Sequence, residues 1–211
     1  MIKKYYKLFF QKKIISERGK STMKNKDLNY YIEKINNNVI NIYNAFYLWK
    51  NLQNSKHNII YNKYKYFWGI TISGVQFFWL FGIPKLFEEF KKGQKEVISI
   101  PFLLEFILEG EEKEKIKKEI DDQKPILKNL KKWRNKILAH QDKIVANDIK
   151  DFYKKYPIKG DQIEELLGSI AKILGMFKSI TTKDSVSYSF FLFIEESKKN
   201  LDDIMGELSK D

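Results

Sequence analysis

The side chains best suited to chemistry lie in one short stretch of this 211-residue chain, from Trp133 to Asp142. Arg134 and His140 are six positions apart in it, although the chain has only two arginines and two histidines. Arginine carries a permanent charge on a planar group with several N–H donors, and histidine exchanges a proton near neutral pH. Together they suit the binding and protonation of a phosphate ester. No other stretch offers comparable chemistry.

The direction in which Arg134 points indicates a cleft. On a helical wheel of 100° per residue, Arg134 lies within about 60° of Leu130 and Ile137, which face the predicted core. A guanidinium is costly to place there without a polar partner, so we expect a cleft or a subunit interface. His140 lies about 120° further round an ideal helix. The two side chains therefore converge only if the helix ends near Ala139, or if a second subunit supplies one of them.

The same residues also fit a purely structural role. Arg134 could pair with Asp142 or Asp148, and His140 could cap the last carbonyl groups of its own helix. The other histidine, His57, lies in a polar junction far along the chain and is a weaker candidate for chemistry. Acidic pairs such as Glu111–Glu112 are flanked by lysines, which is typical of solvated helix faces.

The composition excludes several kinds of site. The chain has no cysteine, so disulfides, thiol catalysis and cysteine-ligated zinc are excluded, and a reducing cytoplasm is the expected location. Two distant histidines make a histidine-based metal site improbable, and we expect no metal or cofactor. The net charge of +12 favours a polyanionic partner such as RNA or DNA. However, nearly all basic residues are lysines, and charge alone does not establish such a partner.

Apolar residues recur every three or four positions along most of the chain, which predicts an all-α bundle of roughly five to seven helices. Pro84 should start or kink the next turn, Lys85–Phe90, and Pro125 should kink or divide a longer helix. Ser99 and Asp161 are predicted helix caps. The predicted helices cover residues 27–53, 59–81, 100–108, 111–139, 161–177 and 189–208.

Two segments bear on the domain organisation. Residues 1–22 hold seven basic residues against Glu17 and are either a basic arm or an over-called start, whereas residues 23–211 form one helical domain. The N-terminus lacks the apolar core of a signal peptide. Residues 67–83 are the most apolar stretch, but glycines and polar residues interrupt it. We therefore predict a buried helix there and no membrane span.

The motif resembles that of a known superfamily. Arg134-Asn135-Lys136-Ile137-Leu138-Ala139-His140-Gln141-Asp142 is similar to the Arg-x(4–6)-His signature of HEPN domains. It looks most like the Arg-Asp-Lys-x-x-Ala-His-x-Asp form of the abortive-infection, AbiU-type branch, with Asn135 in place of the aspartate. The segment around Ser99 and Pro101, and the one from Asp148 to Tyr156, also resemble that branch. The resemblance covers roughly residues 23–210.

The resemblance implies a HEPN-like helical bundle that forms a homodimer, with two motifs in one composite cleft. Many HEPN proteins are metal-independent endoribonucleases in phage defence, abortive infection or toxin–antitoxin systems, so a cognate antitoxin is a further expected partner. In such chemistry the ribose 2′-OH attacks the phosphate. Arg134 would bind the phosphate oxygens, and His140 would transfer protons. Asn135 would hold the phosphate or orient its neighbours, and Asp142 would fix the imidazole tautomer or cap the next turn.

Two alternatives stay open. Some HEPN domains have lost catalysis, so this chain could instead bind RNA or a partner protein without cleaving it; its lysine-rich faces and single histidine in the motif favour that. A membrane-associated helical protein is the third interpretation, based on residues 67–83 and the basic N-terminus.

Overall fold

The computed structural model describes residues 28–53, 58–89, 97–138, 149–182 and 191–208. In these ranges the chain forms nine α-helices and no strand, which confirms the predicted all-α bundle. The number of helices exceeds the prediction because a predicted helix divides at Tyr64, another divides at Gln123, and a further short helix forms before Tyr156. Residues 1–22 and the domain boundary after them lie outside the described ranges.

The helices are named here in chain order. They are α1, residues 28–52; α2, Asn58–Lys63; α3, Lys65–Leu86; α4, Ile100–Leu103; α5, Glu111–Asp122; α6, Lys124–Trp133; α7, Ile149–Lys155; α8, Gly160–Thr182; and α9, Phe191–Leu208. A 3₁₀ turn, Leu104–Phe106, follows α4, and a π-helical turn, Arg134–Leu138, follows α6.

Helix α1 is the centre of the core. Its apolar stripe repeats every three or four residues. The stripe is buried at Leu28, Ile32, Ile35, Val39, Ile42 and Phe46, and Tyr31 and Trp49 on the same side are partly buried. Thr181 Oγ1 contacts Asn29 Oδ1 at 2.8 Å, and Lys178 Nζ donates to Glu33 Oε1 at 2.8 Å. At the other end, Lys50 pairs with Glu164. Helices α1 and α8 therefore run antiparallel along their length.

Helix α3 packs closely on α1 at one glycine. A Cβ atom at Gly82 would lie only 2.6 Å from Cγ1 of Ile42, closer than carbon atoms approach in proteins. The absence of a side chain at Gly82 thus sets the distance between the two helices.

The course of α3 differs from the prediction in two respects. Pro84 does not open a separate turn, since it lies inside the last turn of α3, which continues to Leu86. The helix ends there through shorter-range bonds, in which Glu88 N donates to Lys85 O at 3.3 Å. The prediction of a buried helix is also wrong for one side of α3. Only 22% of its most apolar window is buried, and by length and composition alone the helix could cross a membrane.

Local signals placed the next helices correctly. Ser99 Oγ accepts a hydrogen bond from Phe102 N at 3.3 Å and caps α4. The predicted long helix divides at Gln123, because Pro125 takes one of the first two positions of α6, where its missing N–H costs nothing. The predicted helix after Pro157 is present, but it begins at Gly160, so Asp161 lies inside its first turn and the prediction that Asp161 caps it is wrong.

Glu119 links α5 to α8. Its carboxylate accepts hydrogen bonds from Ser169 Oγ at 2.6 Å and from Lys172 Nζ at 2.5 Å, and its side chain is 19% exposed. Burial raises the pKa of Glu119, but the hydrogen bonds from Lys172 and Ser169 outweigh it, so the pKa lies below its ordinary value of 4.5. The ionised carboxylate therefore stabilises the fold fully at pH values above 4.5, and this stabilisation is lost as the pH falls through the lowered pKa.

We expect Glu119→Gln to lower the free energy of unfolding by about 1–2 kcal/mol at pH 7, because two hydrogen bonds to a charged group are weakened. The difference from wild type should shrink below pH 4. Denaturant unfolding at several pH values measures both effects. Glu112→Gln, on the exposed side of the same helix, is the matched control. If both variants lost the same amount of unfolding free energy at every pH, the role of the Glu119 carboxylate would be contradicted.

Candidate functional site at the end of α6

A buried tryptophan fixes the end of α6. The Trp133 side chain is 6% exposed, and its Nε1 donates a hydrogen bond to Tyr156 O at 2.7 Å. Its ring packs edge-on against Phe152 and Tyr153, with centroids 5.6 and 4.6 Å away. Tyr153 thus contributes to the packing around Trp133. These contacts hold the residue that follows, Arg134, at a fixed place on the surface.

The helix changes its geometry at Arg134. Residues Arg134–Leu138 form a π-helical turn, in which each backbone bond spans one residue more than in an α-helix. The angle of 120° that an ideal α-helix predicts between Arg134 and His140 therefore does not apply. Such turns occur often at functional sites. His140, Asp142 and His57 lie outside the described residues, so the predicted Arg134–His140 juxtaposition stays a prediction.

The guanidinium of Arg134 is held by two neighbours. Its Nη1 donates to Glu88 Oε1 at 2.6 Å, and its Nε donates to Asn135 Oδ1 at 3.1 Å. The Arg134 side chain is 21% exposed. Two of the five N–H groups of an arginine are used in these contacts. The remaining donors, including both at Nη2, can bind a second anion.

Arg134 lines a cavity of about 580 Å³, as the helical wheel led us to expect. Lys85 and Glu88 contribute the other charged groups of its wall. Part of the wall is aromatic and comes from α3, at Phe77, Phe78 and Phe81. The cavity thus places a cation beside exposed aromatic rings.

Asn135 lines a second cavity, of about 450 Å³, on the other side of the same helix end. Its wall carries four lysines of α6, which fall within an arc of about 100° on a helical wheel and so share one side of the helix: Lys124, Lys128, Lys131 and Lys132. Glu89 also lines it, whereas the neighbouring Glu88 lines the first cavity. The motif residues Arg134 and Asn135 therefore belong to two cavities, one largely apolar and one basic.

Glu88 is the residue of the candidate site that the sequence did not reveal. If Arg134 had a purely structural role, the sequence predicted Asp142 or Asp148 as its ion-pair partner, and both residues lie outside the described ranges. The observed partner, Glu88, directly follows the end of α3. The only local signal was a pair of carboxylates just after a proline-containing turn. In the described ranges, no three metal-ligating side chains cluster.

The Arg134–Glu88 pair should stabilise the fold by about 1 kcal/mol, because the guanidinium is mostly shielded from water and the carboxylate partly so. A double-mutant cycle with Arg134→Met and Glu88→Gln, measured by denaturant unfolding, gives this coupling energy. The exposed pair Lys115–Glu111 on α5 is the control and should show a smaller coupling. Equal coupling in the two cycles would show that the contact at Arg134 is not a structural link.

Comparison with protein families identifies the chain. A family model described as AbiU2, of the HEPN domains, matches residues 26–200, which include the whole stretch from α1 to most of α9. No curated protein and no solved structure matches the chain significantly. The match covers far more than half of the chain and agrees with the helical bundle and with the motif around Arg134. The chain therefore belongs to the AbiU2 family of HEPN domains, an abortive-infection family.

Proposed function

We propose that this chain is a metal-independent endoribonuclease that acts in abortive infection. The observation that carries the proposal is the Arg134 guanidinium, which lines a cleft and uses only two of its five N–H donors in its contacts with Glu88 and Asn135. A fixed, partly shielded cation is suited to stabilise charge that develops on a phosphate in the transition state. We place this activity in the cytoplasm, where RNA is accessible.

The reaction proceeds by an internal displacement at phosphorus. The ribose 2′-oxygen loses its proton to a base and forms a bond to the phosphorus, and the bond to the 5′-oxygen breaks. The leaving oxygen takes a proton from an acid, giving a 2′,3′-cyclic phosphate and a 5′-hydroxyl. His140 supplies one proton transfer, and a second copy of His140 in a dimer supplies the other. Asp142 orients the imidazole or caps the following turn.

Asn135 has a narrower role than the arginine. Its Oδ1 accepts the hydrogen bond from Arg134 Nε, so the amide oxygen is engaged in holding the guanidinium. Its Nδ2 group remains a donor for a phosphate oxygen. Because Asn135 also lines the basic cavity, it connects the phosphate at Arg134 with the strand that leads to it.

The lysines of α6 provide the path for the RNA strand. Lys124 pairs with Asp121 at 2.8 Å, but no carboxylate of the described residues is within ion-pair distance of Lys128, Lys131 or Lys132. Unpaired cations along one side of a helix attract a phosphate backbone without regard to sequence. These lysines lead to Asn135, so a bound strand would reach the motif.

A second candidate is an inactive HEPN domain that binds RNA or a protein partner. It is favoured by the contact between Arg134 and Glu88, because the carboxylate neutralises part of the charge that a phosphate would meet. A cognate antitoxin is a partner that would suit either function.

The cleavage assay uses single-stranded RNA in excess chelator, with the 2′,3′-cyclic phosphate as the product measured. Wild type should cleave, and Arg134→Ala and His140→Ala should each lose about 10²-fold or more in rate. The chain offers matched controls, since Arg18→Ala and His57→Ala replace its only other arginine and histidine. Tight binding with no product from wild type would favour the inactive domain, and undiminished cleavage by His140→Ala would exclude the mechanism.

We expect the triple variant with glutamine at Lys128, Lys131 and Lys132 to bind single-stranded RNA more weakly and with less salt dependence. Removal of three phosphate contacts should reduce the slope of log K against log salt concentration by about 2. Fluorescence anisotropy at several salt concentrations measures the slope. The same three-charge change on α5, at Lys115, Lys117 and Lys118, is the control. Equal effects in the two variants would show a general effect of net charge and no defined path.

A further inference from the structure

The junction between α2 and α3 exposes lysines and tyrosines that alternate along the chain. They are called here the Lys–Tyr surface and are Lys63, Tyr64, Lys65 and Tyr66. The Tyr66 side chain is 79% exposed and the Tyr64 side chain is 38% exposed. An exposed tyrosine ring leaves a large apolar area in contact with water. The surface therefore offers two rings to a ligand.

A break in the helix presents these side chains to solvent. The backbone at Tyr64 leaves the helical region, with φ −120° and ψ 42°, so α2 ends at Lys63 and α3 begins at Lys65. Hydrogen bonds continue across the break, since Tyr64 N donates to Ile60 O and Trp68 N donates to Tyr64 O, both at 3.1 Å. Ile60 and Trp68 are themselves buried. The Lys–Tyr surface thus lies between two residues that are anchored in a core.

Each lysine of the surface lies beside a tyrosine ring. Lys63 Nζ is 5.3 Å from the centroid of the Tyr64 ring, and Lys65 Nζ is 5.1 Å from that of Tyr66. A cation at about this distance is attracted by the face of the ring. Because both tyrosines stay exposed, the lysines leave part of each ring free. A flat apolar group and a positive charge are therefore close together at two successive places.

No carboxylate of the described residues neutralises this charge. The sequence has no aspartate or glutamate between Glu33 and Glu88, although the chain holds 27 acidic residues. In the described ranges, neither Lys63 nor Lys65 pairs with a carboxylate. The first turn of α3 also contains no acidic residue. The Lys–Tyr surface is therefore suited to an anionic ligand.

Helix α9 is the acidic element nearest to the junction, with which it shares a core cluster through Leu201 and Met205. Its carboxylates at Asp203 and Glu207 are exposed, and on a helical wheel they lie at least about 120° away from Leu201 and Met205. Asp202 is closer to the packed side, but neither lysine of the surface pairs with it. The positive charge of the surface is thus kept.

We propose that the Lys–Tyr surface binds single-stranded RNA, with bases stacked on the two tyrosines and phosphates at the two lysines. A single strand presents unpaired base faces beside a negative backbone, and proteins bind it through exposed aromatic rings combined with cations. An acidic peptide would use the lysines and leave the rings unused. A lipid surface favours a continuous apolar side over an alternation of lysine and tyrosine. The choice of RNA as the ligand rests on the proposed function.

The Lys–Tyr surface lies at the opposite end of α3 from the candidate site. From Tyr66 to Leu86 the helix extends about 30 Å, and Glu88, the partner of Arg134, follows directly. A stacked strand covers this distance with about nine nucleotides, at roughly 3.4 Å for each. The surface therefore contacts RNA several nucleotides away from the cleaved bond and contributes to the binding of long strands.

Fluorescence anisotropy with a labelled 2′-O-methyl RNA of about 20 nucleotides tests the inference, because this strand is longer than the span and cannot be cleaved through its 2′-oxygen. Tyr66→Ala in the full chain should raise the Kd about fivefold or more, since one stacked base is lost, whereas Tyr66→Phe should keep the affinity. Tyr30→Ala is the matched control, because Tyr30 is 57% exposed and lies 5.4 Å from Lys34 Nζ.

Circular dichroism must show that the variants keep the helical fold. Unchanged affinity in Tyr66→Ala, or an equal loss in Tyr30→Ala, would overturn the proposal.

A strand of the same length without bases separates stacking from charge. Tyr66→Ala should not change the affinity for this abasic strand. The double variant Lys63→Gln and Lys65→Gln should reduce the slope of log K against log salt concentration by about 1.4 for both strands, since two phosphate contacts are lost. If Tyr66→Ala weakened the binding of both strands equally, the stacking of bases would be excluded.

Two further measurements separate other occupants of the surface. Binding of wild type to vesicles of phosphatidylcholine and phosphatidylglycerol, lost in Tyr66→Ala while the RNA affinity is unchanged, would replace the proposal with a lipid surface. Sedimentation velocity should give the same oligomeric state for wild type and Tyr66→Ala. A change of that state would assign Tyr66 to a contact between copies of the chain and overturn the proposal.

The inference and the proposed nuclease activity can fail separately. Binding of 2′-O-methyl RNA that depends on Tyr66 would support the inference even in a chain that cleaves no RNA. In a chain that cleaves, Tyr66→Ala should raise the KM of a long strand and leave kcat unchanged, because the contact is the same in the ground state and the transition state. A lower kcat with unchanged KM would place Tyr66 in the reaction itself and contradict its role in binding.

Discussion

The ion pair between Arg134 and Glu88 is the contact on which the site depends, since it joins the ends of two helices that are distant in sequence. Helix α3 ends just before Glu88, and α6 ends just before Arg134. Each partner is positioned by the residues that precede it in the chain. Arg134 follows the buried Trp133, and Glu88 follows the proline-containing last turn of α3. The guanidinium is therefore positioned by two packed elements, which is what an arginine needs if it is to bind a phosphate without first being ordered.

The charges around this pair are arranged unevenly. Glu88 and Glu89 each line one of the cavities beside the end of α6, in a region otherwise rich in lysine. A carboxylate next to Arg134 lowers the attraction for anions there, while the lysine side of α6 keeps its attraction. Anions would therefore meet the lysines first and the arginine last. This order suits a long polyanion better than a small one, because a long strand can reach both places at once.

Features encoded by neighbouring residues could be predicted from the sequence. The stripe of α1, the Ser99 cap and the division at Pro125 depend on spacing or backbone chemistry within a few residues. The motif around Arg134 was also recognisable, because rare residue types stand out in a chain dominated by lysine. The Glu88 partner and the exposure of α3 were not predictable. Both depend on which helices pack together. A helix that is apolar on all sides has the same sequence pattern whether it is fully buried or has one apolar side exposed to water.

The contact between Gly82 and Ile42 has a consequence beyond packing. It lies two residues before Pro84 and fixes how closely the last turns of α3 approach α1, so it also fixes where Glu88 and the aromatic wall stand. A larger or smaller side chain at position 42 would therefore shift the last turns of α3 away from or towards α1. The width of the Arg134 cleft thus depends on Ile42, which packs in the core against Gly82 and also lines that cleft, so chains with the same motif but a different residue at position 42 should differ in the width of the cleft.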